Sequence, residues 1–334
     1  MKKFCLWALK AAAAGMIAFV LLCLWCASYY NVPVHYENPT GATEYVWQSH
    51  KTYRKGTEGF VFGRTNNEGM NAPEDYHEGD RVDILLMGSS HMEGMNVEQE
   101  ENTASVLEQL FEGEKNCYNI GMSGHTLAYC LSNLQAALDC YQPQDYVVIE
   151  TRTLDFSDGE MGRLAEGKLQ SIPSYSSGPI VLLQKLPYLR LMYTKYLDDI
   201  DLGAHKPHET VPVEGVDPAY LDQVLSKVLA DAAESCREAG VQPMILYHPT
   251  LYLSKDGSPY VSTDPADLER MERCCRENGI LFVDMTDSYL QGVTDGHRLP
   301  YGFANTKPGM GHMNSWGHRL FAQGIYRTIM EQEG

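Results

Sequence analysis

The sequence predicts an α/β protein: a flavodoxin-like, three-layer αβα domain built on a five-stranded parallel sheet, preceded by one N-terminal transmembrane helix. Three observations predict it. Ala11 to Ser28 contains no charged residue. From Val82 onward, short apolar runs alternate with segments of helical period, the pattern of a parallel sheet covered on both faces. The first of those runs, Asp83-Ile84-Leu85-Leu86-Met87, breaks at Gly88-Ser89-Ser90-His91 into a helix start. That places a serine at the carboxyl edge of the sheet, where open α/β folds keep their ligand sites.

With Phe4 to Leu9 in front, the first apolar stretch reaches the ~20 residues that a spanning helix needs. Lys2, Lys3 and Lys10 precede it and acidic residues follow, so the positive-inside rule keeps the N-terminus cytoplasmic and the body extracytoplasmic. Cleavage of a signal peptide near Cys26-Ala27-Ser28 is the alternative. The apolar stretch exceeds the usual ~7–15-residue h-region, so residues 1–28 are read as an uncleaved single-pass anchor in the cell membrane. The formal net charge is −18, and the first ten residues hold three lysines and no acid, so the remainder is more acidic still. A body of that charge repels nucleic acid and favours neutral, zwitterionic or cationic partners. Of the nine cysteines, Cys117, Cys130, Cys140, Cys236, Cys274 and Cys275 lie outside the anchor and match neither a disulfide scaffold nor a zinc knuckle. They are read as free thiols, with one pair among Cys117, Cys130 and Cys140 left open.

Residues 29–80 are rich in Tyr, Asn, Gly and Pro without helical period, and read as a partly ordered connector. Within it Tyr45-Val46-Trp47 and Gly59-Phe60-Val61-Phe62-Gly63 are short strands or a strap on the main domain. The domain itself is 81–334. Its strands are Val82–Met87, Cys117–Ile120, Tyr146–Glu150, Pro243–Tyr247 and Ile280–Asp284. Its helices are Thr103–Phe111, Leu127–Tyr141, Pro218–Ala239, Pro265–Asn278 and Ser315–Gln332. Pro218 and Pro265 stand at first-turn positions, and Gly240 and Gly279 where a glycine ends a helix. An insertion at 152–217 separates the third strand from its helix and contains an apolar helical piece near 180–196. Segments of that length are lids, binding loops or packing subdomains.

Three loops carry the chemistry. Ser90 ends the first strand's turn. The second strand ends in Asn119-Ile120-Gly121-Met122-Ser123-Gly124-His125-Thr126, whose glycines permit a sharp turn and leave backbone N–H groups at the same edge. The last helix is preceded by Gly309-Met310-Gly311-His312-Met313-Asn314-Ser315-Trp316-Gly317-His318. A serine hydroxyl is a weak nucleophile at neutral pH and needs an adjacent base, for which His312 has suitable chemistry. His248 ends the fourth strand at that edge, and His91, His125 and Asn314 join it as pocket residues. His205 and His208 share a loop with no acidic cluster, so no metal site is expected, and no cofactor is called for.

Together the three loops resemble the SGNH, or GDSL, hydrolase superfamily. Gly88-Ser89-Ser90 with Gly94 is similar to its first block, residues 119–126 to its second and residues 312–318 to its last, in the family's order. The resemblance implies an SGNH-hydrolase fold, Ser90 as nucleophile, His312 as base and an oxyanion hole from the N–H groups of Ser90 and Gly124. Three departures accompany it. The aspartate three residues before the histidine is Gly309, the third-block asparagine falls in Glu150-Thr151-Arg152-Thr153-Leu154, and the first-block aspartate is Ser89. A Ser-His dyad, or a triad completed by Asp284, Asp287 or Asp295 from another loop, is therefore expected, with a further oxyanion donor from the hydroxyl of Thr151 or Thr153.

The function so implied is an extracytoplasmic serine esterase or O-acyltransferase acting on a small acyl ester, acetyl foremost, of a cell-surface glycan. The topology is similar to single-span SGNH-like proteins that work beside a multi-pass membrane acyltransferase, the expected partner. The alternative is a catalytically silent SGNH fold that binds glycan or scaffolds a membrane complex.

Overall fold

The computed structural model describes residues 2–154, 156, 159–170, 186–192 and 217–334. Most of the apolar piece near 180–196, and the pair His205 and His208, lie outside the described residues. Helix α1 (Lys2–Tyr29) is 28 residues long with a mean hydropathy of 2.1 in its most apolar window, and only Cys26 in it is buried. At 1.5 Å per residue it is about 42 Å long, enough to cross a bilayer's hydrocarbon core.

The central sheet consists of β6 (Ile84–Met87), β7 (Cys117–Asn119), β8 (Tyr146–Thr151), β9 (Gln242–Tyr247) and β12 (Leu281–Asp284), all parallel, in the order β12-β9-β8-β6-β7. Numbered from the first strand of the domain, this is 2-1-3-4-5, the flavodoxin-like winding. The chain moves outward one way from β6 to β7 and the other way from β8, so the crevice falls at the carboxyl end of β6. Alternate side chains of each strand build two separate cores. Leu85, Met87, Val147, Ile149, Ile245 and Tyr247 pack under α4 (Leu127–Tyr141), α7 (Pro218–Ala239) and α8 (Pro265–Glu277). Ile84, Leu86, Val148, Met244, Leu246 and Val283 pack under α3 (Thr103–Leu110), α9 (Thr286–Thr294) and α10 (Ser315–Glu333). This period-two split is why the strands read as continuous apolar runs: both faces are buried. The architecture is a three-layer αβα fold.

Local sequence accounts for the helix ends. Asp217 and Asp264 accept from the N–H groups of Ala219 and Ala266 ahead of first-turn prolines, and Gly240 closes α7 at φ +75°. The connector is built into the body. Its β1 (Tyr30–Asn31), β4 (Thr52–Lys55) and β5 (Val61–Arg64) form an antiparallel sheet, and β2 (His35–Glu37) pairs with β3 (Tyr45–Trp47). Tyr30, Val32, Tyr45, Trp47 and Tyr53 share one core with the central sheet. A small hairpin, β10 (Leu251–Leu253) and β11 (Pro259–Val261), follows β9. From the insertion, α6 (Pro187–Met192) lies against α1, with the Tyr188 ring edge-on to Phe19 at 6.0 Å. All nine cysteines are free, so no pair forms among Cys117, Cys130 and Cys140.

Two buried histidines make stability depend on pH. Burial pushes His35 and His318 down to about 3. A base with a lowered folded pKa binds more protons when unfolded, so stability is complete above the ordinary histidine value and declines as pH falls toward 3. Each such group costs about 2 kcal/mol at pH 5 relative to pH 7. Urea unfolding at the two pH values is expected to show that loss, and His318→Gln to shrink it. An unchanged midpoint would count against burial as the cause.

Candidate active site

The turn after β6 is shaped by its own residues. Ser89 is the N-cap of the short helix α2 (Ser90–Glu93), its hydroxyl accepting from the His91 N–H at 3.2 Å, and Gly94 closes the helix at φ +69°. Ser90 is thereby left half-buried at the first helical position, at the crevice. Below it, the Ser89 N–H donates to Glu150 Oε2 at 2.6 Å. The other oxygen of Glu150 takes His248 Nε2 at 2.6 Å, and the His248 ring is tied to the Tyr301 hydroxyl. Burial raises the Glu150 carboxyl, but its bonds to His248 and Ser89 outweigh that and hold it below its ordinary value. Burial lowers His248 more than Glu150 raises it. The buried pair is carboxylate and neutral imidazole, and it braces the turn that carries Ser90.

The second loop is stitched to the first. Asn119 Nδ2 donates to the Met92 carbonyl at 2.7 Å and the Met122 N–H to the Gly88 carbonyl at 2.9 Å. Gly121 is required here, since a Cβ would lie 2.7 Å from the Glu93 nitrogen. Ser123 Oγ and Trp47 Nε1 both bind the buried Glu93 carboxylate, the latter at 2.5 Å, and the Tyr45 hydroxyl donates to the Ser123 carbonyl. Among the described residues, neither the Ser90 N–H nor the Gly124 N–H donates to another protein group. Two open N–H groups on adjoining loops are what an oxyanion hole requires.

The last loop brings His312 to the same edge. The Met313 N–H lies 3.3 Å from His91 Nδ1, and the His312 and His91 rings are 5.6 Å apart, so the loop is clipped to the residue following Ser90. The acid behind His312 is Glu58, from the turn between β4 and β5. Its Oε2 accepts from His312 Nδ1 at 2.8 Å and from the His312 N–H at 2.7 Å. With Nδ1 donating to a carboxylate, the Nε2 lone pair is free to take a proton. Burial raises Glu58, yet the His312 bonds and charge prevail and keep it below its ordinary value. Asn305 clasps the turn, accepting from the Gly59 N–H at 2.7 Å and donating to the Gly56 carbonyl at 2.8 Å.

Glu58 therefore replaces the expected aspartates. Asp284 is occupied by Thr286, at 2.9 Å to its N–H and 2.6 Å to its hydroxyl, and Asp287 and Asp295 stand at the two ends of α9. None of the three bonds His312 among the described residues. The third-block expectation is corrected in part: the Thr151 hydroxyl donates to the Thr153 carbonyl at 3.0 Å, so its proton is committed within the chain. Thr153 is exposed at the same turn. His91 and His248 do enter the site as buried neutral rings, whereas His125 is buried 2.7 Å from Glu44 and Asn314 caps α10 through the N–H groups of Trp316 and Gly317. Glu58 carried no local signal, standing in an aperiodic tract 254 residues from its partner.

No family model matches the sequence, and no curated protein does. Solved structures are similar to it. A protein from Slackia heliotrinireducens assigned to the SGNH hydrolases is 16% identical with a TM-score of 0.40, over 75% of this chain and 100% of that one. The psychrotrophic esterase EstA from a Pseudoalteromonas species is 14% identical with a TM-score of 0.39, over 75% and 97%. An acetyl xylan esterase, AlAXEase, is 10% identical with a TM-score of 0.41, over 74% and 98%.

Proposed function

We propose that the chain is a membrane-anchored, extracytoplasmic serine esterase or O-acyltransferase of SGNH type, acting on small acyl esters, acetyl foremost, of a cell-surface glycan. The observation that carries the reading is the Glu58–His312 pair, delivered to the loop beside Ser90. Ser90 Oγ attacks the ester carbonyl carbon while its proton passes to His312 Nε2. The oxyanion is held by the N–H groups of Ser90 and Gly124, each such donor contributing about 2.7–4 kcal/mol in comparable sites. Collapse breaks the ester C–O bond, and the departing alcohol takes the proton from His312. Water or a sugar hydroxyl then accepts the acyl group by the reverse sequence.

The glycan reading is supported by two exposed aromatic pairs on elements leading from the site: Phe60 with Phe62 beside Glu58, and Tyr252 with Tyr260 on the hairpin after His248. The extracytoplasmic reading is supported by α1 and the lysines near its N-terminal end. A multi-pass membrane acyltransferase remains the proposed partner. The silent-scaffold alternative is motivated by the loss of both the aspartate and the third-block asparagine; the Glu58 carboxylate answers the first of these.

Labelling the full-length protein in detergent with a fluorophosphonate tests the proposal. Wild type is expected to label on Ser90 and Ser90→Ala not at all. If wild type with an intact thermal transition does not label, or both label alike, the enzymatic reading falls. Partition of the acyl-enzyme to added glycan over water separates transferase from esterase.

A further inference from the structure

The mechanism leaves one cation at the site unused. Arg152 directly follows β8 at the carboxyl edge of the sheet, and its side chain is exposed. Its Nε donates to Thr250 Oγ1 at 3.0 Å, Nη1 lies 3.4 Å from His91 Nε2, and the guanidinium stands 5.7 Å from the Tyr301 ring centre. Neither hydrogen-bonding neighbour is charged. Burial first, then the nearby His248, His312 and Arg152, hold His91 well below the ordinary histidine value, so its ring is neutral. A neutral imidazole has one acceptor nitrogen, and the Met313 N–H faces Nδ1. Nε2 then carries the ring proton and takes nothing from Arg152. Among the described residues, most of the guanidinium donors have no acceptor.

Among the described residues no carboxylate pairs with Arg152, although acidic side chains outnumber basic ones 44 to 26 in the chain. In so acidic a protein, an arginine at this edge that has no acid partner among the described residues is held available. Its planar fork matches a carboxylate in two parallel hydrogen bonds. The acidity of the body does not prevent this, because charges beyond about 8 Å are screened at physiological salt while a direct contact is not.

We propose that Arg152 is a specificity residue that binds a carboxylate of the substrate next to the scissile ester. The proposal rests on the esterase reading. The carboxylate belongs either to the acyl half, as in a dicarboxylic half-ester, or to the alcohol half, as in a uronic acid sugar.

Two substrate pairs, assayed with the full-length protein in detergent, distinguish the sources. Mono-4-nitrophenyl glutarate against 4-nitrophenyl butyrate, corrected for spontaneous hydrolysis, reads the acyl half. Acetylated methyl glucuronoside against acetylated methyl glucoside reads the alcohol half. In one pair, Arg152→Gln is expected to lower the charged-to-neutral ratio of kcat/KM about tenfold, with Arg152→Lys between it and wild type. Lys227→Gln, which removes a charge from α7, leaves the ratio as it was. Glutarate or glucuronate, whichever matches, should also slow fluorophosphonate labelling of Ser90 in wild type but not in Arg152→Gln, which reads the contact without turnover. A ratio that moves less than about twofold in both pairs, with no protection by either anion, overturns the proposal. Labelling of Ser90 is scored separately, so its absence sinks the esterase reading, and its presence without charge preference sinks only the role of Arg152.

Discussion

Replacing Glu58 by glutamine is expected to lower kcat for the proposed ester hydrolysis about ten-thousandfold, the loss that follows when a triad carboxylate is neutralised with its geometry retained. The carboxylate does two things for His312. It accepts a hydrogen bond from Nδ1–H at 2.8 Å, which fixes the tautomer with Nε2 free, and in the proposed mechanism it lowers the energy of the imidazolium that forms as Ser90 loses its proton. An amide removes the second effect. It also permits the wrong tautomer, since a side-chain NH2 facing Nδ1 places the ring proton on Nε2. The pKa direction of Glu58 sets the acid limit of this support. Its folded value lies below the ordinary carboxylate range, so its contribution is complete above that range and disappears only as pH falls through the lowered value. Steady-state kinetics of the two proteins at neutral pH make the comparison, with circular dichroism to show equal folding. A loss smaller than tenfold would mark the pair as structural.

Gly311→Ala is expected to cost about a hundredfold in kcat through the same contact, by an effect on geometry instead of charge. Gly311 sits at φ +102°, a conformation that side chains rarely adopt, and a Cβ there would lie 2.7 Å from Glu58 Oε2. The methyl group occupies the space in which the carboxylate meets the His312 N–H and Nδ1. Either the loop rotates or Glu58 withdraws, and both separate the acid from the base. The two substitutions should then combine poorly. In a Glu58→Gln background, adding Gly311→Ala is expected to cost less than a further tenfold, since the interaction it disturbs is already lost. Full multiplication of the two losses would show that Gly311 acts on something other than Glu58.

The origin of Glu58 ties the proposed chemistry to the N-terminal helix. The turn that carries it joins β4 and β5, and β4 pairs with β1, which continues directly from α1. A domain cut at residue 81 would retain Ser90, His312 and the central sheet but lack the acid. The connector is thus part of the site, and Asn305 fixes its turn against the loop that carries His312.

The amino-acid sequence by itself determined the membrane-length helix, the five strands, the capped helices between them and the edge at which Ser90, Gly124 and His312 gather. These features depend on local physics: an uncharged apolar run, strands buried on both faces, aspartate–proline starts and glycine stops, and the placing of post-strand loops at one edge by parallel winding. Only the tertiary structure decided which acid bonds His312 and where the Thr151 hydroxyl donates. Asp284, Asp287 and Asp295 lie nearer to His312 in sequence, but the bonds of Asp284 to Thr286 and the placing of the other two at the ends of α9 remove them. Glu58 reaches His312 because the connector packs its aromatic residues into the same core as the sheet, and because Gly311 leaves room for a carboxylate. Arg152 is similar: its neighbours His91 and Thr250 come from two other loops, and only their meeting leaves its guanidinium open. Contacts between loops distant in sequence are set by the packing of whole elements, and residue types and spacing along the chain carry no record of that packing.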